Sequence, residues 1–124
     1  MGAAAPLQEA SAIALNLPNE YYLQLTEDYV KRRDLILNIL DNAGFGYYPP
    51  RGAYYVITDI SRFGFEDDVS FVRHLIQNVG VAAVPGSSFY NDPKDGAQQI
   101  RFCFCKKYAT LEEAGQKLLT FSRS

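Results

Sequence analysis

The chain has 124 residues, a formal net charge of −2 and 21% charged residues, values typical of one folded globular domain. Its densest basic cluster is Lys31-Arg32-Arg33, so we expect no nucleic-acid partner, since a nucleic-acid surface needs a dense positive face. No apolar stretch approaches the length of a membrane span, and the N-terminus lacks the basic and apolar regions of a secretory signal. These features predict an intracellular, cytoplasmic protein that makes no contact with a membrane.

Two helices are predicted in the first 43 residues. Pro6 to Leu15 is rich in Ala and Leu, with proline near its first turn, which indicates a short helix. Asn19 then fits the N-cap of a long helix that ends before Gly44. The long helix carries one apolar stripe at helical spacing, formed by Tyr22, Leu25, Tyr29, Ile36, Leu40 and Ala43.

The rest of the chain alternates short strands with helices. Apolar and β-branched runs predict strands at residues 45–48, 53–60, 81–84 and 100–105. Phe65, Val69, Val72, Ile76 and Val79 step by four and three residues, which predicts a helix ending at Gly80. Residues 85–99 are rich in turn residues and are expected to form a loop.

A last helix completes the predicted architecture. Thr110 and Glu113 have the spacing of a capping box, and the apolar stripe after them consists of Leu111, Ala114, Leu118 and Phe121. The predicted fold class is therefore α+β, an α/β sandwich in which a small sheet of about four strands is covered by helices.

Arg101 is the candidate site residue that the pattern marks most clearly. In the run from Ile100 to Cys105, strand alternation places Ile100, Phe102 and Phe104 on one face and Arg101 on the other, beside two cysteines. An unpaired guanidinium is costly to bury. Arg101 must therefore pair with a protein carboxylate, reach water, or bind an anionic ligand, and the planar guanidinium suits a carboxylate.

The other candidate groups favour structural interpretations. His74 is predicted to lie on the exposed side of its helix, without a second His or a Cys nearby, so no metal site is expected. Cys103 and Cys105 are too few for a zinc site, are poorly placed to bond to each other, and are interpreted as small apolar residues beside Arg101. The turn from Val84 to Phe89 lacks the Gly-Lys-Ser/Thr ending of a phosphate-binding loop.

Several segments together resemble the small C-terminal domain of the fold-type-I pyridoxal-phosphate (PLP) aminotransferases. The segment Pro50–Tyr55 is similar to the family's Pro-x-Gly-x-(Tyr/Phe)-(Tyr/Phe) motif, and Gly80–Phe89 to its Gly-Val-x-x-(Val/Ile)-Pro-Gly-Ser-x-Phe motif. Ile100–Phe104 resembles the strand that carries the substrate-carboxylate arginine. The Phe-Cys-Phe-Cys-Lys ending and Phe63–Asp68 look most like the kynurenine, glutamine and methionine aminotransferase branch.

The resemblance implies a domain organisation and a set of site residues. Residues 1–18 would be a remnant of the large-domain or linker helix, and residues 19–124 the small domain. Arg101 would bind the α-carboxylate of an amino acid and of a 2-oxo acid, and Gly52 would allow close approach of the backbone to the ligand. Pro85, Gly86 and Ser87 would lie near the substrate mouth. The parent enzyme would use PLP and form a homodimer.

The departures from the family are equally informative. None of Lys31, Lys94, Lys106, Lys107 and Lys117 has the sequence context of the Schiff-base lysine, which lies in the family's large domain. The chain is therefore expected to be a fragment or truncated product that lacks the large PLP domain and contains no catalytic or cofactor-binding residue. It is expected to bind PLP weakly or not at all and to have no transaminase activity alone. Two alternatives remain: a non-catalytic ligand-binding module, or a protein-interaction module.

Overall fold

Four antiparallel strands form the sheet at the centre of the computed structural model, which describes residues 2–123. The strands are β1 (Gly46–Tyr48), β2 (Tyr55–Asp59), β3 (Val84–Pro85) and β4 (Gln99–Cys103). Their spatial order is β1-β2-β4-β3, so β4 pairs with β2 on one side and with β3 on the other. This order makes β2 and β4 the two inner strands of the sheet.

Four α-helices accompany the sheet among the described residues. They are α1 (Ala5–Leu15), α2 (Asn19–Ala43), α3 (Asp68–His74) and α4 (Tyr108–Arg123). A single π-helical segment, Leu75–Val79, continues α3 and ends at Gly80, whose φ of +77° favours glycine. The prediction of an α+β domain with a small, four-stranded sheet and helices is confirmed.

One face of the sheet and the helices form the core. Val56 and Thr58 of β2 point to the same side as Ile100 and Phe102 of β4, and all four side chains are buried. The buried helical residues are Ile36, Ile39, Leu40 and Ala43 of α2, Phe71 and Val72 of α3, and Leu111 and Leu118 of α4. The Thr58 hydroxyl donates a hydrogen bond to the Ile100 carbonyl at 3.0 Å, which satisfies a polar group inside the core.

The other face of the sheet is less covered. Tyr55, Ile57, Gln99, Arg101 and Cys103 alternate with the core residues along β2 and β4, and each is only half-buried. This alternation is what the spacing of Ile100, Phe102 and Phe104 predicted. A partly open sheet face is therefore available for a site.

The predicted apolar stripe of the third helix was wrong at two of its positions, Val69 and Ile76, whereas Val72 is buried as predicted. Val69 and Ile76 are 37% and 51% exposed, whereas Phe71, Val72 and Leu75 are buried. The helix begins only at Asp68, so Phe65 precedes it, and the wider π-helical turn breaks the 3.6-residue period beyond Leu75. Apolar residues lie on more than one side of the helix, and periodicity alone included two, Val69 and Ile76, that are exposed.

Two boundary predictions also need correction. The last helix begins at Tyr108, and the Thr110 amide already donates to the Lys107 carbonyl, so Thr110 lies inside the helix and forms no capping box. Glu113 instead pairs with Lys117 one turn later. The strand predicted at residues 81–84 is reduced to Val84–Pro85, and the loop at 85–99 contains two short 3₁₀ turns, Gly86–Phe89 and Pro93–Gly96.

The chain divides into two compact units, Met1–Val30 and Lys31–Ser124, with the boundary inside α2. The first unit contains α1, none of whose residues is buried. The second contains the sheet, α3, α4 and every buried residue among those that the structure describes. The assignment of residues 1–18 to a large-domain or linker remnant and of 19–124 to a small domain stays a prediction. Among residues 2–123, no helix has both the length and the apolar character needed to cross a membrane.

Candidate functional site

Arg101 lies in the middle of the central strand, on the less covered face of the sheet. Its register partners are Ile57 of β2 and Val84 of β3, so strands flank it on both sides. The two neighbours along the chain, Ile100 and Phe102, are 0% and 4% exposed and anchor the backbone in the core. The position of the Arg101 side chain is therefore determined by a rigid element.

Two aromatic rings hold the Arg101 guanidinium. Its central carbon lies 4.4 Å from the centroid of the Phe89 ring and 4.9 Å from that of the Tyr55 ring. Each contact falls within the distance at which a cation is attracted to a ring face, worth about 0.5–1 kcal/mol at an exposed site. The two rings come from different elements, β2 and the turn after β3, so they restrict the orientation of the guanidinium.

Arg101 has no carboxylate partner among residues 2–123. Arg33 pairs with Asp34 and Lys117 pairs with Glu113, and neither pair involves Arg101. The Arg101 Nε atom is buried and donates no hydrogen bond. A buried donor without an acceptor costs about 1–3 kcal/mol. The interpretation of Arg101 as one half of a protein ion pair is therefore not supported by the structure.

The guanidinium borders a cavity of about 310 Å³. The cavity is lined by Tyr55, Ile57, Gly86, Phe89, Tyr90, Gln99 and Arg101. Arg101 is the single charged side chain in this lining, and three of the six other lining residues are aromatic. The Tyr90 hydroxyl donates a hydrogen bond to Gln99 Oε1 at 2.8 Å. Such a cavity combines one cation with apolar walls and suits a small organic anion.

The turn after β3 approaches β4 very closely at Gly86. A Cβ atom at this position would lie 2.5 Å from the Gln99 carbonyl oxygen and 2.7 Å from Gln99 Cβ. Gly96, in the second 3₁₀ turn, lies similarly close to Ser87: a Cβ atom on Gly96 would lie 2.5 Å from the Ser87 amide nitrogen. Side chains are thus excluded at both positions, and the turn is held tightly against the strand that carries Arg101.

A buried carboxylate fixes the same turn from the other side. Asp68, the first residue of α3, is 2% exposed, and its Oδ2 accepts a hydrogen bond from the Ser87 amide at 2.7 Å. Asp67, which precedes it, caps α3 instead: its carboxylate accepts from the Ser70 amide at 2.7 Å. The hydrogen bond from the Ser70 amide is the main reason that the pKa of Asp67 lies below its ordinary value.

The structure brings together some, but not all, of the residues predicted for the site. Gly86 lines the Arg101 cavity, whereas Pro85 and Ser87 flank it within the same turn. Gly52 lies outside the cavity lining, in an exposed bend before β2, and a Cβ there would meet no atom within 4 Å. The close backbone approach predicted for Gly52 would therefore have to involve a ligand, and its role stays a prediction.

Sequence reasoning missed three contributors to this site: Tyr55, Phe89 and Asp68. Phe89 and Tyr55 occur in motifs quoted above, but neither motif indicates that the rings would stack on Arg101. Asp68 stands three residues before Phe71 and seven before Leu75, a spacing that would place it on the buried face once the correct stripe is chosen.

The remaining candidates lie elsewhere. His74 was predicted to be exposed but is half-buried, with its ring 5.2 Å from the Phe65 ring and 5.6 Å from the Phe121 ring. It follows Phe71 by three residues and so lies at the edge of the buried face of α3. Cys105 is exposed beyond the end of β4 and fills no apolar space, while Cys103 is half-buried. Within residues 2–123, no three His, Cys, Asp or Glu side chains form a metal-binding group.

A larger groove of about 510 Å³ lies between the π-helical turn and α4. Its lining includes Lys117, but the amine of Lys117 is paired with the Glu113 carboxylate at 2.7 Å. This pairing holds the pKa of Glu113 below its ordinary value. The cation of this groove is therefore already neutralised, in contrast to Arg101.

The sequence and the fold are similar to those of known proteins. The family model described as aminotransferase class I and II matches residues 2–118. Methionine aminotransferase of Escherichia coli is 39% identical over 113 residues, which are 91% of this chain and 29% of that protein. Kynurenine–oxoglutarate transaminase 1 of Mus musculus is 36% identical over 117 residues, which are 84% of this chain and 28% of that protein.

Solved structures agree with the sequence matches. N-succinyldiaminopimelate aminotransferase from Mycobacterium tuberculosis superposes with a TM-score of 0.85 and 33% identity, over 95% of this chain and 31% of that one. YbdL of Escherichia coli, for which a methionine aminotransferase function is identified, gives a TM-score of 0.81 and 38% identity, over 93% of this chain and 30% of that one. The chain spans less than a third of the length of these relatives. It belongs to the class I and II aminotransferases, a family of PLP-dependent enzymes.

Proposed function

We propose that this chain supplies the substrate-carboxylate site of an aminotransferase that exchanges an amino group between an amino acid and a 2-oxo acid. Arg101 carries the site. It is a fixed cation with no carboxylate partner among residues 2–123, and it borders a cavity of suitable size for a small anion. Both substrates of such a reaction carry the same α-carboxylate, so one arginine serves both.

The aromatic contacts favour binding of a carboxylate in one orientation. A guanidinium donates two parallel N–H···O hydrogen bonds to a carboxylate only when the two groups are coplanar. Phe89 and Tyr55 restrict the plane of Arg101 before any ligand arrives, which lowers the entropy cost of binding.

The residues present do not fit the cofactor of the family. PLP supplies amino-group chemistry through an imine with a lysine amine. None of the five lysines of the chain lines the Arg101 cavity, and Lys117 is paired with Glu113. We therefore propose that the chain alone neither forms a PLP imine nor transaminates, and that the large PLP domain is its partner in a complete enzyme.

A binding experiment tests the proposal. Phenylacetate, added to the 124-residue chain, should shift the NMR signal of the Arg101 Nε–H saturably, with a dissociation constant in the millimolar range. Phenylacetamide has the same shape without the charge and is the matched control. Phenylacetate should also shift the amide signal of Gly86 in the cavity lining, and Arg101→Lys should abolish that shift, since lysine lacks the planar fork. Equal shifts by acid and amide would contradict the proposal.

The absence of cofactor chemistry is tested separately. PLP should give no specific absorbance shift with the chain, and borohydride reduction should leave no stoichiometric adduct on any one lysine. A reducible adduct at a single lysine would overturn the proposed inactivity. It would not affect the proposed role of Arg101, because the two measurements are independent.

An interaction module is the second candidate function, and α1 favours it. Leu7, Ile13 and Leu15 are 66%, 68% and 80% exposed, an unusual density of apolar side chains for a free helix. In sedimentation velocity, the chain should associate as its concentration rises. Glutamine at these three positions should reduce the association, while Ile76→Gln, an exposed apolar position in the second unit, should not.

A further inference from the structure

Asp68 is a buried carboxylate without an obvious structural duty in its own helix. It is 2% exposed, and apart from Thr58 it is the one buried polar or charged residue among residues 2–123. Burial of a carboxylate is costly unless hydrogen bonds compensate it. The helix-capping role at the start of α3 is already filled by Asp67. The position of Asp68 therefore requires another explanation.

The hydrogen bond of Asp68 leads to the turn that borders the site. Its Oδ2 accepts from the Ser87 amide at 2.7 Å, a length typical of charge-assisted hydrogen bonds. Ser87 is 19 residues away in sequence, so this bond joins α3 to the Gly86–Phe89 turn. Without this bond, the partly buried Ser87 amide would have no acceptor, and the turn would lose its attachment to α3.

The close packing around the turn makes that attachment effective. Gly86 is buried against the Gln99 backbone, and Gly96 packs against Gly86 and Ser87. A segment confined on three sides, by β4, by the second 3₁₀ turn and by Asp68, has little freedom to rearrange. The position of Phe89, two residues after Ser87, is thereby determined.

Phe89 transmits this position to Arg101. Its ring is the nearer of the two that hold the guanidinium, at 4.4 Å against 4.9 Å for Tyr55. Phe89 is itself 46% exposed, so packing of its own side chain restricts it less than packing restricts a core residue. Its orientation therefore depends also on the backbone of the turn.

We propose that Asp68 is a positioning residue for the carboxylate site: by accepting the Ser87 amide hydrogen bond, it fixes the Gly86–Phe89 turn so that Phe89 holds the Arg101 guanidinium in its binding orientation. The role in substrate binding rests on the function proposed above. The ordering of Arg101 does not, and it can be measured without any ligand.

The first experiment measures the ligand-free chain. Asp68→Ala should accelerate hydrogen exchange at the Arg101 Nε–H and move the Ser87 amide signal upfield. Asp67→Ala is the matched control, because it also weakens the start of α3 but leaves the Asp68–Ser87 hydrogen bond intact. Equal exchange rates at the Arg101 Nε–H in the two variants, at equal loss of melting temperature, would overturn the proposal.

The second experiment adds phenylacetate to the same variants. Asp68→Ala should weaken binding by about fivefold or more, whereas Asp67→Ala should stay within about twofold of the parent chain. If the parent chain fails to bind phenylacetate at Arg101, the proposed function fails, while the exchange experiment still decides the role of Asp68. If the parent chain binds and Asp68→Ala binds equally well, the positioning role fails alone.

A conservative variant covers the case in which Asp68→Ala does not fold. Asp68→Asn keeps an oxygen acceptor of the same size but removes the charge, so it should fold and retain a weaker Ser87 hydrogen bond. We expect the hydrogen exchange at the Arg101 Nε–H of Asp68→Asn to be faster than in the parent chain, because the Ser87 hydrogen bond is weaker. An unchanged exchange rate together with a shifted Ser87 signal would contradict the proposed coupling.

Discussion

The two compact units of the chain differ in what they leave exposed. The second unit, Lys31–Ser124, buries a continuous apolar core and leaves on its open sheet face a guanidinium with no carboxylate partner in residues 2–123. The first unit, Met1–Val30, buries none of its described residues and exposes apolar side chains, including Leu15 at 80%. The guanidinium of the second unit suits an anionic ligand, whereas the exposed apolar side chains of the first unit suit another protein surface.

The difference separates stability from function along the chain. A helix that is apolar yet unburied contributes little to stability, because the free energy of folding comes from removal of apolar surface from water. Substitutions in the first unit should therefore alter association, and substitutions in the second should alter stability or ligand binding. Substitutions in each unit test this division.

The largest effect is expected in the core of the second unit. Phe71 is fully buried, with its ring stacked at 5.4 Å on Phe63 and in edge contact with Phe45 and Phe65. Phe71→Ala leaves a cavity and should lower the free energy of unfolding by about 3–5 kcal/mol. Denaturant titration followed by circular dichroism measures it.

Leu15→Ala in the first unit is the matched control for Phe71→Ala. Leu15 is a large apolar residue that is 80% exposed, so its truncation should change the free energy of unfolding by less than about 0.5 kcal/mol. A loss comparable to that of Phe71→Ala would show that the first unit also contributes to stability, and would contradict the division between the two units.

The close approach at the site turn should give the next largest effect. Gly86→Ala places a Cβ atom 2.5 Å from the Gln99 carbonyl oxygen, and we expect a loss of about 1–3 kcal/mol in unfolding free energy. Gly52→Ala is the control, because a Cβ there meets no atom within 4 Å. If Gly52 approaches only a ligand, Gly52→Ala should weaken phenylacetate binding without changing the melting temperature.

Arg101→Ala is expected to lower the free energy of unfolding less than Phe71→Ala or Gly86→Ala does. Two cation–π contacts, worth about 0.5–1 kcal/mol each, are lost, but a buried Nε without an acceptor is removed at the same time. The net change in unfolding free energy should stay below about 1 kcal/mol, while carboxylate binding disappears. A loss of several kcal/mol would identify Arg101 as a structural residue.

The fold was predictable where a pattern is local and unambiguous. The alternation of Ile100, Phe102 and Phe104 predicts both the strand and its buried face, because a strand has only two faces. The stripe of α3 was not predictable in the same way. Val69 and Ile76 follow helical spacing as well as Phe71 and Leu75 do, and only tertiary packing decides between them.

The site was predictable in part, and the reason is the same. Arg101 stands out because a charge interrupts an apolar strand, which is a local signal. Phe89 and Tyr55 contact Arg101, and Asp68 contacts Ser87 in the neighbouring turn. These contacts join residues that are distant in sequence, and no spacing in the sequence indicates them. Gly52 was proposed from resemblance, and its surroundings in this chain neither require nor exclude glycine.

The smallest expected effect concerns acid stability of the second unit. Hydrogen bonds from the Ser70 amide and hydroxyl favour the charged form of Asp67 and lower its pKa in the folded chain. A lowered pKa means that the unfolded chain binds the proton more tightly, so the stabilisation is complete above about pH 4 and is lost as the pH falls further. Asp67→Asn, which retains a capping oxygen without the titration, should flatten the acid limb of the melting-temperature profile. An acid limb in Asp67→Asn that is as steep as in the parent chain would contradict the prediction.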